Sequence, residues 1–166
     1  MTTEIIWAPW RAGFIKAKPE KGCVLCRISR SMDNRKSLIV KRGKCNFIVL
    51  NKFPYTSGHL MVVTNRHIGA LEKLSTIEAN EHFRLTRTAA AAIRKAFKPE
   101  GLNVGMNLGR PAGAGIKDHL HTHLVPRWAG DSNFMPVIGE TRINSIDIEE
   151  TYEALLEAFK RIRSKT

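Results

Sequence analysis

His119-Leu120-His121-Thr122-His123 places three of the chain's six histidines within five residues. Side chains on an extended strand alternate between faces, so positions i, i+2 and i+4 share one side. The pattern predicts a strand over residues 118–126, with its three imidazoles along one surface and Leu120 and Leu124 turned into a core. Neighbouring rings would stand roughly 6–7 Å apart at about 3.3 Å rise per residue. Two chemistries use such a row. The rings can ligate a catalytic metal that keeps an open position. Alternatively, one ring is a nucleophile whose neighbours set its tautomer and stabilise the charge that develops. The local sequence favours the second. Gly113-Ala114-Gly115 just before the strand lets backbone N–H groups approach an anion closely, and only Asp118 offers a nearby carboxylate for a metal hydrolase.

Outward from this stretch, further elements are readable. Asn46-Phe47-Ile48-Val49-Leu50-Asn51 and Gly58-His59-Leu60-Met61-Val62-Val63-Thr64 are rich in strand formers, and Lys52 to Ser57 supply a loop between them. Ser75-Thr76-Ile77-Glu78 is a capping box, after which Phe83, Thr86, Ala90, Ile93 and Phe97 recur at helical spacing until Pro99 and Gly101. His82 reads as a surface residue on the exposed side of that helix. A strand follows over 102–107, and an amphipathic helix closes the chain near 148–162. The order predicts an α+β fold with an antiparallel sheet, one long and one C-terminal helix, all in a single domain over 1–166. Residues 1–35 read as an irregular N-terminal segment, where Trp7-Ala8-Pro9-Trp10-Arg11 would pack a tail onto the body. Residues 130–166 read as a C-terminal extension and helix.

The composition narrows the partners. A formal charge of +12 raises the local concentration of anions, so phosphorylated metabolites, nucleic acid and acidic lipid all suit it, and so does a merely solvated basic surface. Nucleic acid is possible but not favoured, because no aromatic RNA-binding run, helix-turn-helix pattern or GXXG clamp stands in suitable context. No apolar run reaches the roughly 18 residues of a membrane span, and Met1 to Ile6 lack the pattern of a secretory signal. The expectation is a cytoplasmic protein without a membrane partner. Three cysteines are too few for a disulfide framework. Cys45, beside Phe47-Ile48-Val49, reads as a small hydrophobe. Cys23-Val24-Leu25-Cys26 has the spacing of a zinc half-site, a redox pair or two unrelated thiols. A redox role would place it at the start of a helix in a βαβ context, which the opening lacks; zinc needs two further ligands, for which His67 is a candidate outside the triad.

His119-Leu120-His121-Thr122-His123-Leu124-Val125 resembles the motif of the histidine-triad family, three histidines alternating with apolar residues, with Thr122 departing from the apolar pattern. The resemblance extends to Asn51 through Gly58-His59-Leu60 and to Met106-Asn107 before the glycine loop. Trp7-Ala8-Pro9-Trp10-Arg11 and the segment from Pro126-Arg127-Trp128 to Phe134 are similar to the branch near diadenosine tetraphosphate phosphorylases and fragile-histidine-triad hydrolases.

That resemblance implies a histidine-triad fold with a sheet of about five strands, a homodimer, and a nucleotide hydrolase or nucleotidyltransferase. Its substrate would be a dinucleoside polyphosphate or related nucleotide conjugate. It implies a catalytic set of His121, His123, His119 and His59, in which His121 attacks the α-phosphorus to give a nucleotidyl-histidine that water or inorganic phosphate then releases. His123 would bind phosphate oxygens, His59 would tune the triad from behind, Asn51 would contact the ribose, and Asn107 with Gly113, Ala114 and Gly115 would hold phosphate or ribose. Many relatives carry Gln and Ser or Thr where this chain has Gly115 and Ile116, so side-chain bonds to phosphate are absent there unless Lys117 compensates. The resemblance also implies a structural zinc on Cys23, Cys26, His67 and His119, and no organic cofactor. The alternatives are a non-catalytic nucleotide-binding module and a metal-dependent phosphohydrolase that uses the triad as ligands.

Overall fold

The computed structural model describes residues 22–131 and 146–163. The tryptophan-proline segment at 7–11 and residues 132–136 lie outside them. In chain order the elements are α1 (Val24–Arg30), β1 (Ile39–Arg42), β2 (Asn46–Leu50), β3 (Leu60–Thr64), α2 (Thr76–Phe97), β4 (Gly101–Met106), β5 (His121–Arg127) and α3 (Ile148–Arg163). The strands form one sheet in the order β1-β2-β3-β5-β4, antiparallel at every pairing. The expected α+β architecture with about five strands is therefore present.

The middle strands are covered on both faces, which is why β2 and β3 read as unbroken apolar runs rather than alternations. Ile48, Leu50, Leu60, Val62 and Leu124 pack against Leu85, Ala89, Ala92 and Ile93 of α2 and Tyr152, Leu155 and Phe159 of α3. Phe47, Val49, Met61 and Val63 face the other way, with Leu25 and Ile28 of α1 over them. Strand β5 lies inside the sheet. Its register sets His121 opposite Val63 and His123 opposite Met61, on the α1 face, while Thr122 lies opposite Val62, on the α2 face.

Four sequence readings are corrected. The triad strand begins at His121, so His119 and Leu120 precede it, held by a Leu120 N–H bond to Ile68 O. The irregular N-terminus contains a helix, α1, with Cys23 at its N-cap, and strand β1 was not foreseen. Both are short, and α1 draws its stability from Leu25 packing on the sheet rather than from propensity. The buried face of α2 is Glu78, His82, Leu85, Ala89, Ala92 and Ile93, whereas Phe83 is 67% exposed. Small Ala89 and Ala92 let the helix approach the sheet, which a face centred on Phe83 would prevent. His82 is consequently buried, not a surface residue. The capping box itself forms: Ser75 Oγ accepts from the Glu78 N–H, and the Ser75 N–H donates to the Glu78 carboxylate.

Candidate active site

Three segments converge at β5: the loop after β2 with Asn51 and Tyr55, the start of β3 with His59, and the loop before β5. His59 is fully buried. Its Nδ1 accepts the Tyr55 backbone N–H at 3.2 Å and faces Asn51 Nδ2 at 3.3 Å. A ring nitrogen that accepts a backbone N–H carries no proton, so in the neutral ring the hydrogen sits on Nε2. His59 Nε2 then donates to His123 Nδ1 at 2.9 Å. By the same logic His123 carries its own proton on Nε2. Burial, and secondarily the neighbouring His121, hold His123 down at about 4, so it is neutral near pH 7.

His121 is oriented differently. Its Nδ1 lies 2.7 Å from the carbonyl oxygen of His119, which can only accept. The Nδ1 hydrogen is thereby committed to the backbone, and Nε2 is left with its lone pair. The His121 and His123 rings meet edge to face, centroids 4.8 Å apart, and Tyr55 stacks over His123 at 5.9 Å. Side by side, these rings present one basic nitrogen and one N–H donor. Gly105 of β4 lies opposite His123 in register, and a Cβ there would meet nothing within 4 Å. Space is open beside the ring.

The glycine loop contains a short 3-10 turn at Arg110–Ala112, after which Gly113 adopts φ +88°, a conformation that favours glycine. Asn107 Nδ2 donates to Gly113 O at 3.3 Å, so this amide braces the loop from within. Ala114 is buried, while a Cβ at Gly115 would meet nothing. Asn51 likewise has an internal duty, since its Oδ1 accepts the Phe53 N–H at 3.0 Å in addition to the contact with His59. Lys117 lies 3.6 Å from Asp118 on the surface.

His119 does not join the other two rings. Its Nδ1 lies 3.3 Å from Cys23 Sγ, 3.5 Å from Cys26 Sγ and 3.3 Å from His67 Nδ1, and Cys26 Sγ is 3.3 Å from His67 Nδ1. The four ligand atoms all fall within 4.8 Å of one another. A tetrahedron with Zn–S about 2.3 Å and Zn–N about 2.05 Å has edges of roughly 3.3–3.8 Å. Three of the four measured separations lie at the short end of that range and the fourth, 3.5 Å, lies inside it. His119 Nε2 donates to Thr64 O at 2.7 Å, which leaves Nδ1 unprotonated toward the cluster. These residues could hold a metal ion, and the donor set suits one of zinc type. Gly69 makes the arrangement possible: a Cβ there would lie 2.8 Å from Lys117 O and 2.9 Å from Asp118 Cα. Only a residue without a side chain lets the loop bearing His67 come this close to His119.

A HIT domain matches residues 32–130. The chain belongs to the HIT, or histidine-triad, family. A protein of Mycobacterium tuberculosis named AP-4-A phosphorylase is 35% identical over 164 residues, covering 94% of this chain and 84% of the relative. Among solved structures, a zinc-bound histidine-triad protein from Mycobacterium smegmatis superposes with a TM-score of 0.71 at 23% identity, covering 87% of this chain and 97% of the other. A hypothetical histidine-triad nucleotide-binding protein from Sulfolobus tokodaii gives 0.68 at 26% identity, with 86% and 95% covered. The HIT fold expected from the triad is thus present.

Two HIT-site features escaped the sequence reading. Tyr55 was read only as part of a loop, although an aromatic between Asn51 and His59 was a usable sign. The partner of Thr122 was missed because His82 was placed on the wrong face of α2.

Proposed function

We propose that this protein is a nucleotide-processing enzyme that transfers a nucleotidyl group from the α-phosphate of a dinucleoside polyphosphate to His121. The observation that carries this reading is the bond from His121 Nδ1 to His119 O, which leaves Nε2 as an unprotonated nucleophile. Nε2 forms a bond to the α-phosphorus while the bridging P–O bond breaks, and the leaving polyphosphate nucleotide takes the electron pair. The ring becomes cationic as it is phosphorylated, and its Nδ1–H bond to the carbonyl strengthens accordingly. His123 Nε2–H donates to a phosphate oxygen, fixed in that role by His59 and the Tyr55 backbone. In the second step an oxygen of phosphate, or of water that gives up a proton to solvent, bonds to the same phosphorus as the P–Nε2 bond breaks, and the electron pair returns to the ring as neutral imidazole.

The glycine loop and Asn107 would cradle the phosphates, and Asn51 would meet the ribose. The relative's name favours phosphate as acceptor and diadenosine tetraphosphate as substrate. Zinc on Cys23, Cys26, His67 and His119 would supply rigidity, not a reactive group, tying α1 to the segment that carries the nucleophile. We place the enzyme in the cytoplasm. The open edge of β4, where Asn103, Val104 and Gly105 are exposed, would pair two copies as a homodimer.

The test is product analysis with diadenosine tetraphosphate, with and without inorganic phosphate. ADP plus ATP formed only with phosphate indicates phosphorolysis; AMP plus ATP indicates asymmetric hydrolysis. Label from α-32P substrate should remain on the wild-type chain after alkaline denaturation and vanish in His121→Asn. Turnover by His121→Asn at the wild-type rate would end this reading.

A further inference from the structure

Behind the two rings, on the α2 side of β5, runs a buried chain of hydrogen bonds that the chemistry above leaves unused. His82 of α2, 4% exposed, has Nδ1 2.9 Å from Asn46 Oδ1 and Nε2 2.6 Å from Thr122 Oγ1. Asn46 Nδ2 donates to Glu78 O at 3.1 Å and to the Glu81 carboxylate at 3.2 Å, which leaves Oδ1 as the acceptor. His82 therefore carries its proton on Nδ1, and the Thr122 hydroxyl donates to Nε2. Glu81 in turn accepts the backbone N–H groups of Lys44, Cys45 and Asn46 at 2.9, 2.6 and 2.8 Å. Burial holds His82 down at about 4, so the polarity of this chain is constant around neutrality. One continuous path links the β1–β2 turn, α2 and the residue that separates His121 from His123.

These groups are costly where they stand. A buried hydroxyl or imidazole without a partner loses free energy, and Thr122 occupies a position of the triad motif where an apolar side chain would fill the same space. An apolar contact is non-directional and tolerates small rolls of the strand. A short hydrogen bond to a ring fixed at its other nitrogen does not. Thr122 is bonded in the backbone to both rings' residues, so any roll at Thr122 moves both.

We propose that His82 is a positioning residue for the transfer reaction: through Thr122 it fixes the roll of β5, and so the mutual placement of His121 and His123, with Asn46 and Glu81 as its anchor. The reaction it serves is that of the proposed function, on which this inference rests.

The test compares Thr122→Val, which removes only the hydroxyl, with Thr122→Ser, which keeps it. Thr122→Val should lose roughly tenfold or more in kcat, since small misplacements in transfer sites carry losses of this size. KM should change less than kcat, because the two displaced rings act on the transferring phosphoryl group while the other nucleotide contacts stay in place. Thr122→Ser should restore kcat. Tyr152→Phe, which removes a buried hydrogen bond from α3 to Ile39 O and touches no member of this chain, should lower Tm yet leave kcat unchanged. Wild-type kcat in Thr122→Val, or an equal kcat loss in Tyr152→Phe, overturns the inference. Thr122→Ala is read the same way if Thr122→Val does not fold. A readout independent of substrate is the long-range 1H–15N spectrum. Wild-type His82 should remain an Nδ1–H tautomer at pH 6, and loss of the hydroxyl should shift the ring signals of His121 and His123. Unchanged ring signals overturn the positioning role even if no dinucleoside polyphosphate is turned over, an outcome that would by itself refute only the proposed activity.

Discussion

The carbonyl oxygen of His119 accepts the Nδ1 hydrogen of His121 at 2.7 Å, while the His119 ring faces Cys23, Cys26 and His67. The tautomer of His121, the proposed nucleophile, is therefore held by a residue whose ring lies in the cysteine–histidine cluster. The three histidines divide into one ring in that cluster and two that meet edge to face at the proposed substrate site.

Stripping metal from this cluster should consequently reach the chemistry without touching it. Removal of bound zinc by a chelator, or Cys23→Ser with Cys26→Ser, should lower kcat by about 10–100-fold, the usual scale for losing groups that orient a site. Tm should fall as well, because ligand binding to the folded state adds to stability. Zinc stoichiometry, calorimetry and turnover measured on one preparation check this. Metal-free protein with full kcat and unchanged Tm would refute it.

Gly69→Ala should act on the same hinge. The new methyl would lie 2.8 Å from Lys117 O, a backbone atom with no flexible end to yield. Separation of His67 from His119 should cost about 1–3 kcal/mol of stability and weaken metal affinity. Denaturant melts and a competitive zinc titration would register both changes.

Acid should unfold the protein in two stages. His82 and His123 are held at about 4 chiefly by burial, against an ordinary value of 6.5. Between these values the unfolded chain binds protons that the folded one refuses, so stability is complete above about 6.5 and lost as pH falls toward 4. Glu78 is held at about 2, first by the Arg66 guanidinium and then by the Ser75 backbone N–H. Its contribution is present above its ordinary 4.5 and lost as pH falls toward 2. Urea melts at pH 7, 5 and 3 should show both losses, and Glu78→Gln should reduce only the lower one, to which Glu81 and Glu157, also held below the ordinary carboxylate value, contribute as well.

Gly105→Leu tests where substrate lies. Within one chain a side chain there enters open space opposite His123, and because Gly105 also lies on the β4 edge proposed to pair two copies, Tm and oligomeric state are measured beside KM. If the phosphates and ribose run past this point, KM should rise by about tenfold or more, a loss of roughly 1.4 kcal/mol in binding. An unaltered KM would move the substrate to another side of the rings.

The strands that carry the site were legible because β2, β3 and β5 bury continuous or alternating apolar positions, patterns that local sequence expresses directly. The capping box at Ser75 and Glu78 was legible for the same reason: its bonds span three residues. Helix α1 and strand β1 were not, because their stability comes from Leu25 and Ile39 packing onto the sheet. The face of α2 differs from its apolar pattern because buried His82 is satisfied by Asn46 and Thr122, 36 and 40 residues away.

Sequence alone determined the histidine spacing, the glycine loop, the Cys-x-x-Cys pair and the helix cap, since each is a local property of a few consecutive residues. Tertiary structure decided which ring joins the cysteine cluster, which nitrogen each ring protonates and whether His82 is buried. The tautomer of His121 is set by a carbonyl two residues away and that of His59 by an N–H four residues away, but the other outcomes depend on partners brought from 36 to 96 residues away. Such a partner is selected by the packing of the sheet, and no short stretch of chain encodes it.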